Sequence, residues 1–155
     1  MITKKQGRSL SGGANCNVNG LAFEDLTDLE SIVKSQKDID ICPKDFSVYE
    51  KHGFLRYIKS HFSIDIKKIL SKKLLPDSVV FNHKEKTIVI IEKKFQASSG
   101  SVDEKLQTCD FKKKQYEKLL IKTKYKVSYL YVLNDWFSRP EYKDTLYKWL
   151  SFNNY

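Results

Sequence analysis

Between positions 76 and 96 the chain reads Pro-Asp-Ser-Val-Val-Phe-Asn-His-Lys-Glu-Lys-Thr-Ile-Val-Ile-Ile-Glu-Lys-Lys-Phe-Gln. β-Branched and aromatic residues crowd into two short runs, 78–82 and 87–95, joined by a polar turn at 82–86. Runs of this kind, bounded by turn residues, predict a β-hairpin. The turn lacks the Asn-Gly or Asp-Gly dipeptide that would fix its type, but folding about Lys84–Glu85 sets the register. Phe81 then opposes Ile88, Val79 opposes Ile90, and Asp77 opposes Glu92.

Other periodicities frame this hairpin. Leu26, Leu29, Ile32 and Val33 recur at helical spacing with Asp25, Asp28 and Lys34 between them, predicting a helix over 20–36. The segment 38–75 is mixed. Pro43 breaks any helix, 46–51 alternates like a strand, Gly53 punctuates it, and 54–62 fits strand or helix. Ser63 is placed to cap a short helix that turns Ile66, Ile69 and Leu70 inward. Ser101 and Glu104 form a capping box for a helix running to Leu120, with Val102, Leu106, Cys109, Tyr116 and Leu119 or Leu120 inward. The run 125–133 is apolar and aromatic on both faces, as an interior strand is. Ser138 and Glu141 make a second capping box, with Pro140 in the first turn and Tyr142, Leu146, Trp149 and Leu150 facing inward. The order predicts an α/β fold with a mixed central β-sheet flanked by helices.

The register has a chemical consequence. Side chains alternate along a strand, so Ile88, Ile90, Glu92, Lys94 and Gln96 share a face with Asp77, Val79 and Phe81. Directly opposed Cβ atoms lie about 4.5–5.5 Å apart, so two carboxylates meet at one end of an apolar floor, with a lysine one step further. Opposed like charges repel, and a cation between them is expected. A divalent metal is the economical choice, and Mg²⁺ takes one or two carboxylates with waters and phosphate oxygens. Lys93 points to the other face, as a solvated or phosphate-contacting lysine. An ordinary surface ion pair is the competing account of an acid–x–Lys triplet at a strand end.

Pro76-Asp77 together with Glu92-Lys93-Lys94 resembles the signature of the PD-(D/E)XK nucleases, and Gln96 resembles the Glu-x-Lys-x-Gln extension of some members. The resemblance implies a restriction-endonuclease-like core over about 20–135, Mg²⁺-dependent phosphodiesterase activity and a DNA substrate. It implies that Asp77 and Glu92 hold metal and that Lys94 positions or activates the attacking water. Gly20-Leu-Ala-Phe-Glu24 looks like the helix that opens such cores, which gives Glu24 a supporting role for metal or water; the alternative is that it complements the helix N-terminus. The stretch from Ser101 to Lys105 resembles the segment after the Glu-x-Lys strand in some type II restriction enzymes. N–H groups at a helix start attract phosphate, making Ser99, Ser101 and Lys105 candidate contacts to the scissile strand. Arg56, Lys59 and His61 are candidates for base or phosphate contacts.

Composition narrows the partners. At 155 residues the chain suits one domain, with 1–19 as a flexible basic arm or loop and 136–155 as a C-terminal helix. Its formal charge of +9 points to a polyanion, and the excess is lysine, clustered at 67–73 and 112–126. Cys16, Cys42 and Cys109 are widely spaced, and His52, His61 and His83 match no zinc spacing, so free thiols are expected. The glycines of 1–19 precede no Gly-Lys-Ser/Thr, which excludes a phosphate loop. No apolar run is long enough for a membrane span, and no signal peptide is visible, so a cytoplasmic protein is expected. The expectation is a Mg²⁺-dependent endonuclease of double-stranded DNA, with Mn²⁺ as a substitute, of the type II restriction class. One site per compact domain implies a homodimer for cutting both strands. The alternatives are a repair or junction-resolving nuclease of the same fold and a non-catalytic basic nucleic-acid-binding module.

Overall fold

The computed structural model describes residues 20–29, 31, 44–98, 100–148 and 150. The arm expected over 1–19 lies outside them, as do Cys16, Ile32, Val33, Lys34, Cys42, Pro43, Ser99 and Trp149.

Helix α1 occupies 20–26 and is interrupted at 27–28, with residues 29 and 31 helical again. There Thr27 Oγ1 donates to Phe23 O at 2.7 Å, a side-chain bond that competes with continuation. Leu26 points to solvent, 78% exposed, and is not an inward residue. Phe23 instead meets the Phe95 ring at 5.9 Å between centroids, tying α1 to the end of the hairpin.

Strand β1 (Phe46–Tyr49) leads directly into α2 (Lys51–Phe62), so 54–62 is helix and Gly53 lies inside it. Ser63 ends α2 and does not begin the next helix. It adopts the left-handed conformation (φ 56°), and Ile64 N–H donates to Ile58 O at 3.2 Å, the closing geometry of many helix ends. The cap of α3 (Ile66–Ile69) is Asp65, which accepts from Lys67 N at 3.0 Å.

Strands β2 (Ser78–Asn82) and β3 (Thr87–Lys94) form the hairpin with Val79 opposite Ile90 and Phe81 opposite Ile88, as alternation requires. The helix expected over 101–120 is broken into α4 (Val102–Leu106) and α5 (Cys109–Leu120). Thr108 Oγ1 donates to Lys105 O at 2.7 Å at the break, and Ser101 makes no side-chain capping bond. The inward residues Leu106, Cys109, Tyr116, Leu119 and Leu120 are nevertheless buried. Strand β4 (Lys126–Leu133) comes next. A short turn, Asp135–Ser138, precedes α6 (Pro140–Tyr142), which continues as a π-helical turn, Lys143–Tyr147. The second capping box does not form either: Arg139 is the cap position, and Ser138 Oγ donates backward to Asp135 O at 2.7 Å.

The four strands lie in the order β1-β2-β3-β4, antiparallel except that β4 runs parallel to β3. Among the described residues strand β4 is therefore an edge strand, not an interior one, and it alternates buried Val127, Tyr129 and Tyr131 with exposed Lys126 and Leu130. A parallel neighbour requires a crossover, supplied by α4 and α5. The buried face is built in rows across the sheet. Phe81, Ile88 and Val127 form one row, and Val79, Ile90 and Tyr129 the next. Burying each such side chain contributes about 1.5–3 kcal/mol, so the floor leading to the third row is stable.

Candidate active site

The third row is polar. Glu92 pairs with Tyr131 across β3 and β4, and Asp77 stands one residue beyond the Ser78–Ile91 pair, in the next position of the register. Asp77 Oδ2 accepts the backbone N–H of Lys93 at 2.7 Å. Glu92 is 6% exposed. Lys94 Nζ lies 3.0 Å from Glu92 Oε2, 3.9 Å from Asp77 Oδ2 and 3.0 Å from the Lys93 carbonyl oxygen. One ammonium thus touches three oxygens from both strands, and the triad expected from the sequence converges at the end of the apolar floor.

A second ammonium joins the site that the sequence pattern does not assign to it. Lys112 Nζ, from α5, reaches the same Glu92 Oε2 at 3.1 Å. Two carboxylates are balanced by two ammonium groups, so charge repulsion alone does not demand a metal here. The signal for Lys112 is faint but present. It lies three residues after buried Cys109 and four before buried Tyr116, on the inward stripe of an otherwise apolar helix face.

Below the acids sit phenols. Burial first, and then the negative charge of Glu92, hold the Tyr116 and Tyr129 hydroxyls far above their ordinary pKa. Burial pushes Tyr131 up to about 12. All three stay protonated.

On the opposite face, Lys93 is not solvated: its side chain is 6% exposed and its Nζ lies 4.0 Å from Glu50 Oε1. Ser78 Oγ donates to that same oxygen at 3.1 Å. No local sequence signal marks Glu50, because its place beside Ser78 depends on the pairing of β1 with β2. Glu24 on α1 lies 3.8 Å from Lys51 Nζ and is half exposed. A cavity of about 540 Å³ gathers Glu24, Glu50, Asp77, Arg56 and Lys93. A neighbouring one of about 510 Å³ is lined by Gly20, Glu24, Lys93, Lys94 and Phe95. Asp77 faces the first and Lys94 the second.

The remaining candidates are more scattered. Gln96 is 5% exposed, with an Oε1 that has no hydrogen-bond partner. Its backbone is clamped by Asn134 at the end of β4, through bonds of 3.0 and 2.9 Å. Ser101 and Lys105 are exposed at the two ends of α4. That helix has five residues, too few for the aligned N–H groups and dipole that phosphate affinity at a helix start requires.

A family model described as a PD-(D/E)XK nuclease superfamily domain matches residues 28–125. The chain belongs to the PD-(D/E)XK nuclease superfamily. No curated protein and no solved structure matches it. The superfamily match spans Glu50, Asp77, Glu92, Lys94 and Lys112, while Glu24 lies outside it. Membership makes this a nuclease domain with a nucleic-acid substrate, in a superfamily that generally uses divalent metals. The donor set suits such an ion. Two carboxylates and the Lys93 carbonyl are hard oxygens gathered around one ammonium. Mg²⁺ is commonly held by only one or two carboxylates, with waters filling the octahedron. Among the described residues no group of three or more His, Cys, Asp or Glu side chains is gathered so as to hold a metal ion. No described helix is long and apolar enough to cross a membrane.

Proposed function

We propose that this chain is a Mg²⁺-dependent endonuclease hydrolysing phosphodiester bonds of double-stranded DNA. We further propose a type II restriction enzyme, acting in the cytoplasm as a homodimer of single-domain chains. The observation that carries the reading is Lys94 Nζ within 4 Å of both Asp77 and Glu92 at the rim of a buried ribbon.

Asp77 and Glu92 would hold the cation, and Mn²⁺ would substitute because it favours the same carboxylate and water ligands. When bound, a divalent cation supplies Lewis-acid polarisation of the phosphoryl oxygen. Lys94 presents its ammonium to the attacking water and to the charge that develops on the phosphate. Lys112 keeps the Glu92 carboxylate oriented from the helix side. The protonated phenols of Tyr116 and Tyr129 form the buried floor under Glu92 without adding negative charge. Glu24 supports a water at the cavity rim, and Gln96, Ser99, Ser101 and Lys105 are assigned to the DNA strand beyond the site. Water oxygen bonds to phosphorus and gives up a proton to solvent as the phosphorus–oxygen bond to the leaving sugar oxygen breaks, and that oxygen takes up a proton from solvent.

The test is digestion of plasmid DNA with Mg²⁺, with Mn²⁺ and with chelator, for wild type and for Asp77→Asn, Glu92→Gln and Lys94→Met. Cutting that requires the metal and all three side chains supports the reading. Variants that cut like wild type overturn it. Sequencing the fragment ends then separates the classes: one short recurrent sequence means a restriction enzyme, and scattered or structure-dependent ends mean a repair nuclease.

A further inference from the structure

Strands β1 and β2 are antiparallel neighbours, with Tyr49 paired to Val79. A turn of about two to five residues suffices for such a pair. Here the chain leaves the sheet at Glu50, builds α2 and α3, and returns at Asp77. Both ends of the excursion therefore lie at the end of the sheet that carries the acids.

The excursion also carries one of the chain's two dense runs of positive charge, the other being 112–126. Residues 51–73 contain seven lysines and arginines against a single acid, Asp65, in a chain whose net charge is +9. Asp65 is engaged in capping α3. Between α2 and α3 runs a groove of about 260 Å³ with His52, Arg56, Lys59, Lys67, Lys73 and the single carboxylate of Asp65 along it, and apolar Ile64 and Ile66 at its floor. Among the described residues none of these lysines, nor Arg56, forms a salt bridge, whereas Lys93, Lys94 and Lys112 nearer the acids all do. Arg56 lines both this groove and the cavity containing Asp77, so a positive path leaves the acids and continues across the excursion. Four cationic side chains against one carboxylate repel one another, and a polyanion relieves that repulsion while releasing its own condensed counterions.

We propose that the groove between α2 and α3 seats backbone phosphates of a DNA strand running away from the scissile bond. The proposal rests on the nuclease reading for where that strand leads, but the contact itself does not require cleavage. Phosphate contacts fix register and orientation without reading sequence, so the groove contributes affinity that is indifferent to sequence and sensitive to salt.

Binding of a short fluorescent duplex of arbitrary sequence is measured in chelator between about 50 and 200 mM salt. The triple variant Lys59→Gln, Lys67→Gln, Lys73→Gln should lower the slope of log affinity against log salt by about 2.7, roughly 0.9 for each phosphate contact removed. A control triple, Lys84→Gln, Lys118→Gln, Lys122→Gln, makes the same change in net charge at exposed lysines by the far end of the sheet and should leave the slope unchanged. Circular dichroism checks the fold; if the groove triple fails to fold, each single variant should lower the slope by about 0.9. A wild-type slope in the groove variant, or an equal drop in both triples, overturns the proposal. The two readings fail separately. Wild type that binds through the groove yet cuts nothing removes the nuclease reading alone, and wild type that cuts while the groove variant keeps its full slope removes the groove alone.

Discussion

Glu92→Gln should cost stability as well as activity, which is not what loss of a catalytic acid from a repulsive cluster would do. Glu92 is nearly buried, and its Oε2 takes ammonium groups at 3.0 and 3.1 Å. At an effective dielectric of about 20, each contact is worth about 5 kcal/mol of Coulomb attraction before desolvation. The amide keeps the shape and loses the charge. Lys94 and Lys112, 19% and 28% exposed in their side chains, can turn partly to water, which reduces the loss below the usual cost of breaking a buried pair. The expected destabilisation is about 2–4 kcal/mol, or a fall in melting temperature of roughly 5–12 °C for a chain of this size. Asp77→Asn is the internal comparison. Asparagine can still accept the Lys93 N–H, and only the 3.9 Å contact with Lys94 is lost, so its cost should stay under about 1 kcal/mol. Urea unfolding in chelator measures both. If Glu92→Gln is as stable as wild type, or more stable, the two lysines do not neutralise that carboxylate and the charge-balanced picture of the site is wrong.

Lys94→Met should abolish cleavage while keeping, or enlarging, the rise in melting temperature that Mg²⁺ produces, because a positive charge beside the carboxylates is removed; loss of that rise would show that Lys94 is needed to build the metal site itself. Lys112→Met should slow plasmid cleavage by about 10–100-fold, the usual effect of losing a partner that orients a ligand, and an unchanged rate would assign Lys112 to surface chemistry. His83 bridges Ser47 Oγ at 2.8 Å and Tyr125 Oη at 3.0 Å, and its pKa is lowered by burial and then by Lys86 and His61. A depressed folded value means its contribution to stability is whole above the unfolded pKa of about 6.5 and is lost as pH falls toward the folded value. Urea midpoints should therefore drop less between neutral and mildly acidic pH for His83→Gln than for wild type, and equal slopes would refute the assignment.

The local parts of this molecule are legible in its sequence, and the parts that depend on packing are not. The hairpin register follows from alternation alone, because a slip of one residue would turn Ile88 and Ile90 to solvent. Asp77 and Glu92 come within reach of one lysine for the same reason. The helix boundaries fail where a hydroxyl decides them: Thr27 and Thr108 each satisfy a carbonyl of their own helix, and neither is a glycine or proline that would announce a stop. Strand β4 reads as interior because its aromatic residues are many, yet among the described residues only β3 adjoins it. Lys112 and Glu50 join the site through contacts between elements far apart in sequence; the inward stripe of its helix marks Lys112 only faintly, and no local pattern marks Glu50.

These two kinds of residue divide the work at the end of the sheet. In the proposed mechanism the hairpin supplies the reacting groups on a floor that needs no other element to set its register, and the surrounding elements supply charge. Lys112 arrives from the crossover helix that the parallel strand β4 makes necessary, and Lys93 is matched by Glu50 from β1. The resting site is thereby neutral, with Lys94 occupying the space between oxygens where a dication would be held. Such an arrangement keeps the acids oriented, and it sets competition between an internal ammonium and an external cation. On the proposed mechanism, a divalent cation should bind there weakly and with salt sensitivity. The excursion between β1 and β2 fits the same division: it adds nothing to the reacting groups, but it brings a run of positive charge to the edge of the cavity that contains Asp77.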